Sequence, residues 1–127
     1  MAYLIGSNVV INYIAENFDS TVLSRLDIIF DTDFYHSVIT TMEVLGFNGD
    51  RDVMEQLEKV FEAGKRLDID DSVVRETIKI RKTVSIKLPD AIIAATAIVH
   101  NYELITANTS DLLKVHGLKV TDPQNLI

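Results

Sequence analysis

Short strand-like segments alternate with longer helix-like segments along the whole chain. The strand candidates are 3–5, 34–38, 66–69, 102–106 and 118–120. Between them, apolar residues recur every three or four positions, as they do on the buried face of a helix. The clearest set is Val53, Leu57, Val60 and Phe61, with Gly64 after it. This alternation predicts a three-layer α/β/α fold with a central, mostly parallel sheet of four or five strands.

The composition agrees with one globular domain over residues 1–127, since 47% of the residues are hydrophobic and 24% are charged. Such a chain has enough apolar surface to fold and is not expected to be disordered. No apolar run reaches the length of a membrane span, and the N-terminus does not resemble a signal peptide. The absence of cysteine excludes disulfides and thiolate metal sites. We therefore expect a cytoplasmic protein with no membrane partner.

The charge distribution is uneven. The net charge of −7 argues against a protein that binds nucleic acid over its whole surface. The segment 77–89, however, contains no acidic residue and carries Lys79, Arg81, Lys82 and Lys87. These side chains form either the solvated face of a helix or a local contact for a phosphate backbone.

Polar residues follow the predicted strands at the points where those strands end. Glu43 comes after the second strand, Asp90 opens a long apolar helix, and Asn108 and Asp111 follow the strand at 102–106. Because the carboxyl ends of parallel strands share one edge of the sheet, these side chains are expected to lie near one another. This edge is the predicted location of the functional site.

Each of these residues also has a local explanation. Thr40 and Glu43 have the spacing of a helix capping box, Asp90 suits the first turn of a helix, and Asn108 or Ser110 can cap the helix after it. Taken together, however, several carboxylates at one edge repel unless a cation lies between them. Oxygen ligands of this kind are typical of Mg²⁺ or Mn²⁺, so the sequence predicts a divalent metal site.

The sequence resembles the PIN-domain family and, within it, the VapC-type ribonuclease toxins of bacterial toxin–antitoxin pairs. The resemblance covers essentially the whole chain. The segments that carry it are LIGSNVVINYI, ITTMEVLGF, IKLPDAIIAATAIVHNYELIT and ANTSDLL. It implies an endoribonuclease that uses Mg²⁺ or Mn²⁺ to cleave RNA, forms a homodimer and is bound by a cognate antitoxin protein.

The resemblance also assigns roles to individual residues. The implied metal ligands are Glu43, Asp90 and Asn108, and Asp111 joins them in the catalytic group. The implied supporting residues are Gly6, Ser7, Asn8 and Thr106. Under this resemblance, the basic residues of segment 79–87 become candidate contacts for the RNA substrate.

Gly6 is the main departure from the family pattern, because members ordinarily have an aspartate there as the first metal ligand. Glycine at this position either serves a turn that needs a positive φ or a close approach of the backbone, or it leaves a ligand position without a side chain. The surrounding resemblance favours the second interpretation. We therefore predict an intact fold with weakened metal binding and little or no nuclease activity. The alternative is a non-catalytic PIN module that acts by binding protein or RNA.

Overall fold

The computed structural model describes residues 2–126 and contains a single five-stranded sheet within that range. The strands are β1 (Tyr3–Ile5), β2 (Phe34–Ser37), β3 (Lys65–Leu67), β4 (Glu103–Ile105) and β5 (Val120–Thr121). The α-helices are α1 (Ser7–Ile14), α2 (Ser20–Phe30), α3 (Val38–Leu45), α4 (Arg51–Ala63), α5 (Asp71–Thr83) and α6 (Leu88–His100). Two short 3₁₀ helices follow, at Leu112–Lys114 and Pro123–Asn125.

The sheet has the strand order β3-β2-β1-β4-β5, and every neighbouring pair is parallel. The central strand β1 pairs with β2 on one side and β4 on the other, so that Tyr3 is level with Phe34 and Glu103. The predicted α/β/α fold with a parallel sheet is thus confirmed. In such a sheet the strand order reverses beside the first strand, where ligand sites commonly form.

Helices cover both faces of the sheet. Leu4 of β1 and Leu104 of β4 pack under α5 and α6, whereas the next residues, Ile5 and Ile105, pack under α1 to α4. All four side chains are fully buried. Successive residues of a strand point to opposite faces, and both faces are covered here, so the last two residues of β1 and of β4 are apolar.

Helix α6 is buried against the sheet, as its apolar sequence predicts. Small side chains allow this close approach, and the fully buried ones are Ala91, Ala94, Ala95 and Ala97. The helix ends at Asn101, which adopts the left-handed conformation with φ 58°. Neither α6 nor any other helix between residues 2 and 126 combines the length and apolar character that a membrane crossing needs.

The predicted element boundaries need small corrections. β2 ends at Ser37 because Val38 already begins α3, and β3, at Lys65–Leu67, begins one position earlier and ends two positions earlier than expected. The last strand is Val120–Thr121 and not 118–120. Val53 was expected on the buried face of α4, but this residue in the first turn of the helix is 42% exposed.

Candidate functional site

A cleft of about 240 Å³ opens at the carboxyl edge of the sheet. It lies where β1 and β4 end and where α1, α3 and α6 come together. Its polar lining consists of Gly6, Ser7, Asn8, Glu43, Asp90, Thr106 and Asn108. Its apolar lining consists of Ile11, Ile93, Leu104 and Leu112.

Three of the residues predicted at a metal, Glu43, Asp90 and Asn108, lie in this one cleft. They come from α3, α6 and the turn after β4, so the parallel topology brings together residues distant in sequence. Asp111 lies outside the cleft lining, and its Oδ1 is 3.9 Å from Nζ of Lys114. Lys114 therefore supplies Asp111 with a nearby positive charge that the sequence motif did not reveal.

Glu43 is held by a contact across the cleft. Helix α3 begins at Val38 with Ser37 as its N-cap, whose Oγ accepts from the Ile39 amide at 3.1 Å. The predicted capping box of Thr40 and Glu43 is therefore wrong. The Glu43 carboxylate instead accepts a hydrogen bond from Oγ of Ser7 at 2.8 Å.

Asp90 and Asn108 reach the cleft in different ways. Asp90 lies in the first turn of α6, as predicted, and the positive end of the helix dipole favours its negative charge there. Asn108 does not cap the following 3₁₀ helix, whose N-cap position is Asp111 and has no side-chain capping bond. The backbone amide of Asn108 donates instead to Oγ1 of Thr106 at 3.2 Å.

Gly6 has a backbone conformation that any residue adopts, with φ −78° and ψ 162°. The interpretation that a positive φ requires glycine at this position is therefore wrong. A Cβ atom built on Gly6 would lie 3.2 Å from the carbonyl oxygen of Ile105 and 3.3 Å from Cβ of Thr106. These contacts are close, so a side chain at position 6 requires the neighbouring atoms of Ile105 and Thr106 to shift by a few tenths of an ångström. Position 6 thus lies beside Thr106 in the lining of the cleft, where a side chain would fit after this small shift.

The cleft is negatively charged. Its lining contains the carboxylates of Glu43 and Asp90 and no basic side chain. Within residues 2–126, no group of three or more His, Cys, Asp or Glu side chains is arranged to hold a metal ion. The donor set is nevertheless all oxygen, and Mg²⁺ is commonly held by one or two carboxylates while it keeps several waters. The residues present therefore fit a hydrated divalent cation, but they do not form a closed metal cage.

The basic residues of segment 79–87 do not form one surface. Arg81 and Lys82 line a groove between α5 and α6, whereas Lys79 lines a different pocket with Lys114. Helical geometry explains the separation of Lys79 from Arg81, because residues two apart are rotated by about 200° around the axis. Lys87 immediately precedes α6 and is exposed.

The sequence reasoning missed the apolar wall of the cleft. Ile11 follows Asn8 by three residues in α1, so helical spacing alone could have placed it on the same side. Ile93 bears the same relation to Asp90 in α6. Leu112 had no comparable local signal, because the turn between β4 and the 3₁₀ helix decides its direction.

Comparisons with known proteins agree with this geometry. The family model described as PIN domain matches residues 3–117. A toxin–antitoxin complex from Klebsiella pneumoniae is 26% identical, with 95% of this chain and 97% of that chain covered and a TM-score of 0.78. FitAB bound to an IR36 DNA fragment is 27% identical, with 98% and 97% covered and a TM-score of 0.77. DNA-bound VapBC from Salmonella typhimurium is 18% identical, with 97% and 98% covered, and shares the fold with a TM-score of 0.83. None of the curated proteins compared is significantly similar to the chain.

Proposed function

The chain belongs to the PIN domain family, and from this membership we propose that it is a VapC-like toxin of a toxin–antitoxin pair. Its activity is metal-dependent cleavage of RNA, with Mg²⁺ or Mn²⁺ as the cofactor. In this chain the activity is impaired, because Gly6 stands where the family ordinarily has a metal-ligand aspartate.

One observation carries the proposal: Glu43, Asp90 and Asn108 line the same cleft as Gly6. The known structures add support. The Klebsiella pneumoniae protein, 26% identical, is part of a toxin–antitoxin complex, and this similarity covers nearly the full length of both chains. The proposal therefore rests on a site and on a full-length similarity, not on one motif.

Each residue has a part in the proposed reaction. Glu43 and Asp90 would hold the cation, and the amide oxygen of Asn108 would be a neutral third donor. The Ser7 hydroxyl orients the Glu43 carboxylate through its 2.8 Å hydrogen bond. When bound, a divalent cation activates water and stabilises the negative charge that develops on a phosphodiester. The family resemblance adds Asp111, which would support the site from just outside the cleft.

The missing carboxylate explains why activity should be low. Two negative charges attract a cation less strongly than three, and a cation held from fewer directions is placed less accurately. A displacement of about 1 Å can cost roughly 100-fold in rate. Hydrolysis should therefore suffer more than binding.

Restoring the carboxylate tests the proposal. Gly6→Asp should cleave members of a panel of structured RNAs with Mg²⁺ or Mn²⁺ at least about 100-fold faster than the unchanged chain. Gly6→Asn is the matched control, because it has nearly the same shape without the charge. Adding Asp90→Asn to Gly6→Asp should abolish the gained cleavage.

A second function has one observation in its favour. Residues 2–126 contain no three-acid metal group, which suits a PIN module that acts by binding RNA or protein without catalysis. This function would replace the first if Gly6→Asp binds Mn²⁺ in calorimetry yet cleaves no RNA. In that case the unchanged chain should bind its partner equally well with and without metal and with Asp90→Asn.

The proposal includes partners. A cognate antitoxin would cover the cleft, where Ile11 is 45% exposed and offers an apolar contact beside the two carboxylates. We also propose a cytoplasmic homodimer, which light scattering of the purified chain would detect. For the RNA, Arg81 and Lys82 share one groove and Lys79 does not. Charge reversal at Arg81 and Lys82 should therefore weaken RNA binding more than Lys79→Glu.

A further inference from the structure

The side chain of Asn8 joins two parts of the cleft that are far apart in sequence. Its Nδ2 donates to Oγ1 of Thr106 at 3.4 Å, and its Oδ1 accepts from the backbone amide of Ala107 at 3.3 Å. Oγ1 of Thr106 also accepts from the Asn108 amide at 3.2 Å. One side-chain amide at the start of α1 thus fixes the turn that carries Asn108.

Asn8 is itself held by further asparagines of α1 and of the turn after it. Nδ2 of Asn12 donates to the Asn8 carbonyl oxygen at 2.8 Å. Nδ2 of Asn17 in turn donates to Oδ1 of Asn12 at 3.0 Å. We call these three residues the asparagine series. Every contact in it is between neutral groups, so neither a carboxylate nor a cation is needed to form it.

We propose that Asn8 is a positioning residue that holds the turn after β4, so that Asn108 faces the cleft whether or not a metal is bound. The role of Asn108 as a metal ligand rests on the proposed function, whereas the hydrogen bonds between Asn8 and the turn can be tested without measuring any activity. The hydrogen bonds that Asn8 makes with the turn after β4 thus do not depend on the carboxylates of the cleft. A chain without a carboxylate at position 6 keeps these hydrogen bonds. An aspartate introduced at position 6 would therefore lie beside a turn that is already positioned.

The chemistry of the two contacts explains why asparagine serves here. One side chain must donate to the Thr106 hydroxyl and accept from the Ala107 amide, and a carboxamide does both. Aspartate would keep only the accepting contact and would add a charge near Glu43 and Asp90. Alanine would lose both contacts.

Amide hydrogen exchange on the unchanged, metal-free chain tests the connection. Asn8→Ala should speed exchange at the Ala107 and Asn108 amides roughly 3- to 10-fold, the range expected for the loss of one or two hydrogen bonds. Asn17→Ala is the matched control, because it removes a member of the series that does not touch the turn. The Leu104 amide, in β4, reports on global stability and should stay unchanged in both variants.

Two outcomes overturn the proposal in this experiment. In one, Asn8→Ala leaves both amides of the turn at their original exchange rates. In the other, Asn17→Ala or the Leu104 amide shows the same acceleration, because the effect then reflects general loosening of the fold.

The positioning role has a second measurement, in the Gly6→Asp chain. There, Asn8→Ala should lower the affinity for Mn²⁺ about 10-fold, as loss of a residue behind a metal ligand typically does, with no matching drop in the thermal midpoint. Asn17→Ala should leave the affinity unchanged, and equal affinities in the two variants would refute positioning. If Gly6→Asp itself binds no Mn²⁺, the proposed function fails, and the exchange experiment alone decides the role of Asn8.

Discussion

Gly6 and Gly64 stand beside strands of the same sheet, Gly6 directly after β1 and Gly64 directly before β3. Both have an extended backbone, with φ −78° at Gly6 and −85° at Gly64. A Cβ atom on Gly64 would lie 2.5 Å from Cε2 of Phe34, whereas the nearest atom to a Cβ on Gly6 is 3.2 Å away. Packing therefore favours glycine strongly at position 64, whereas at position 6 the backbone does not require it and the packing conflict is smaller.

The surroundings of the two glycines also differ, because Gly64 is enclosed and Gly6 borders a cleft. Gly64 lies against Phe34 and His36, which are 1% and 2% exposed. The His36 ring pairs with Thr41 Oγ1 at 2.8 Å and with the Phe61 carbonyl oxygen at 3.1 Å, so both ring nitrogens have partners. Gly6 instead lines the open cleft, whose walls are partly polar and partly apolar. The first region is closely packed, whereas the second borders open space at the edge of the sheet.

The largest expected effect is that of Gly64→Ala. The added methyl would overlap the Phe34 ring and should lower the free energy of unfolding by about 1–3 kcal/mol, measured by urea denaturation. In a double-mutant cycle, Phe34→Leu should recover part of the loss, because it removes the ring atoms that clash. Strict additivity of the two changes would mean that the contact with Phe34 is not the cause.

His36 should give an intermediate, pH-dependent effect. Burial lowers the pKa of the His36 imidazole, against a hydrogen bond to the Phe61 carbonyl that raises it. At pH values between this lowered pKa and the pKa of about 6.5 in the unfolded chain, the unfolded chain binds more protons than the folded chain. Stability should therefore fall as the pH drops below about 6.5, by at most about 1.4 kcal/mol per pH unit.

Denaturation midpoints between about pH 7.5 and 5.5 would measure this effect, a window chosen around the unfolded histidine pKa. His36→Gln should flatten the profile, since its amide can still donate to the Phe61 carbonyl but does not titrate. His116→Gln, in an exposed turn, is the control and should leave the slope unchanged. A slope that survives His36→Gln would assign the pH dependence to other groups.

Gly6→Ala should have the smallest effect. Its Cβ needs only a small adjustment near Ile105 and Thr106, and replacing glycine at an ordinary φ reduces the entropy of the unfolded chain. The two effects oppose each other, so the free energy of unfolding should change by less than about 1 kcal/mol. Thermal and urea denaturation beside Gly64→Ala would measure it. A loss as large as that of Gly64→Ala would remove the distinction between the two glycines.

The fold was predictable because its main signal is repeated along the chain. Alternating strands and helices imply a parallel sheet, and the apolar length of α6 implies a buried helix. The location of the site followed from the same logic, because residues after parallel strands share an edge. Glu43, Asp90 and Asn108 could therefore be grouped before any coordinates were known.

The remaining details depend on contacts between distant residues. Gly64 was correctly expected at the end of α4, but its need for glycine comes from the Phe34 ring, thirty positions away in sequence. The Thr40–Glu43 capping box failed because Ser37 caps α3 and Ser7 binds Glu43. Local patterns predict elements well, but they do not show which distant side chain competes for a given group.

The ordinary backbone at position 6 has a consequence for the protein inside a cell. Chaperones and proteases act on chains that are unfolded, and marginal stability is what exposes a variant to them. At position 6 the amide donates to the carbonyl oxygen of Ile105, a main-chain hydrogen bond that both glycine and aspartate can make. Both forms should therefore accumulate to similar levels in the cell. The amount of protein present would then not reveal which form has the lower activity.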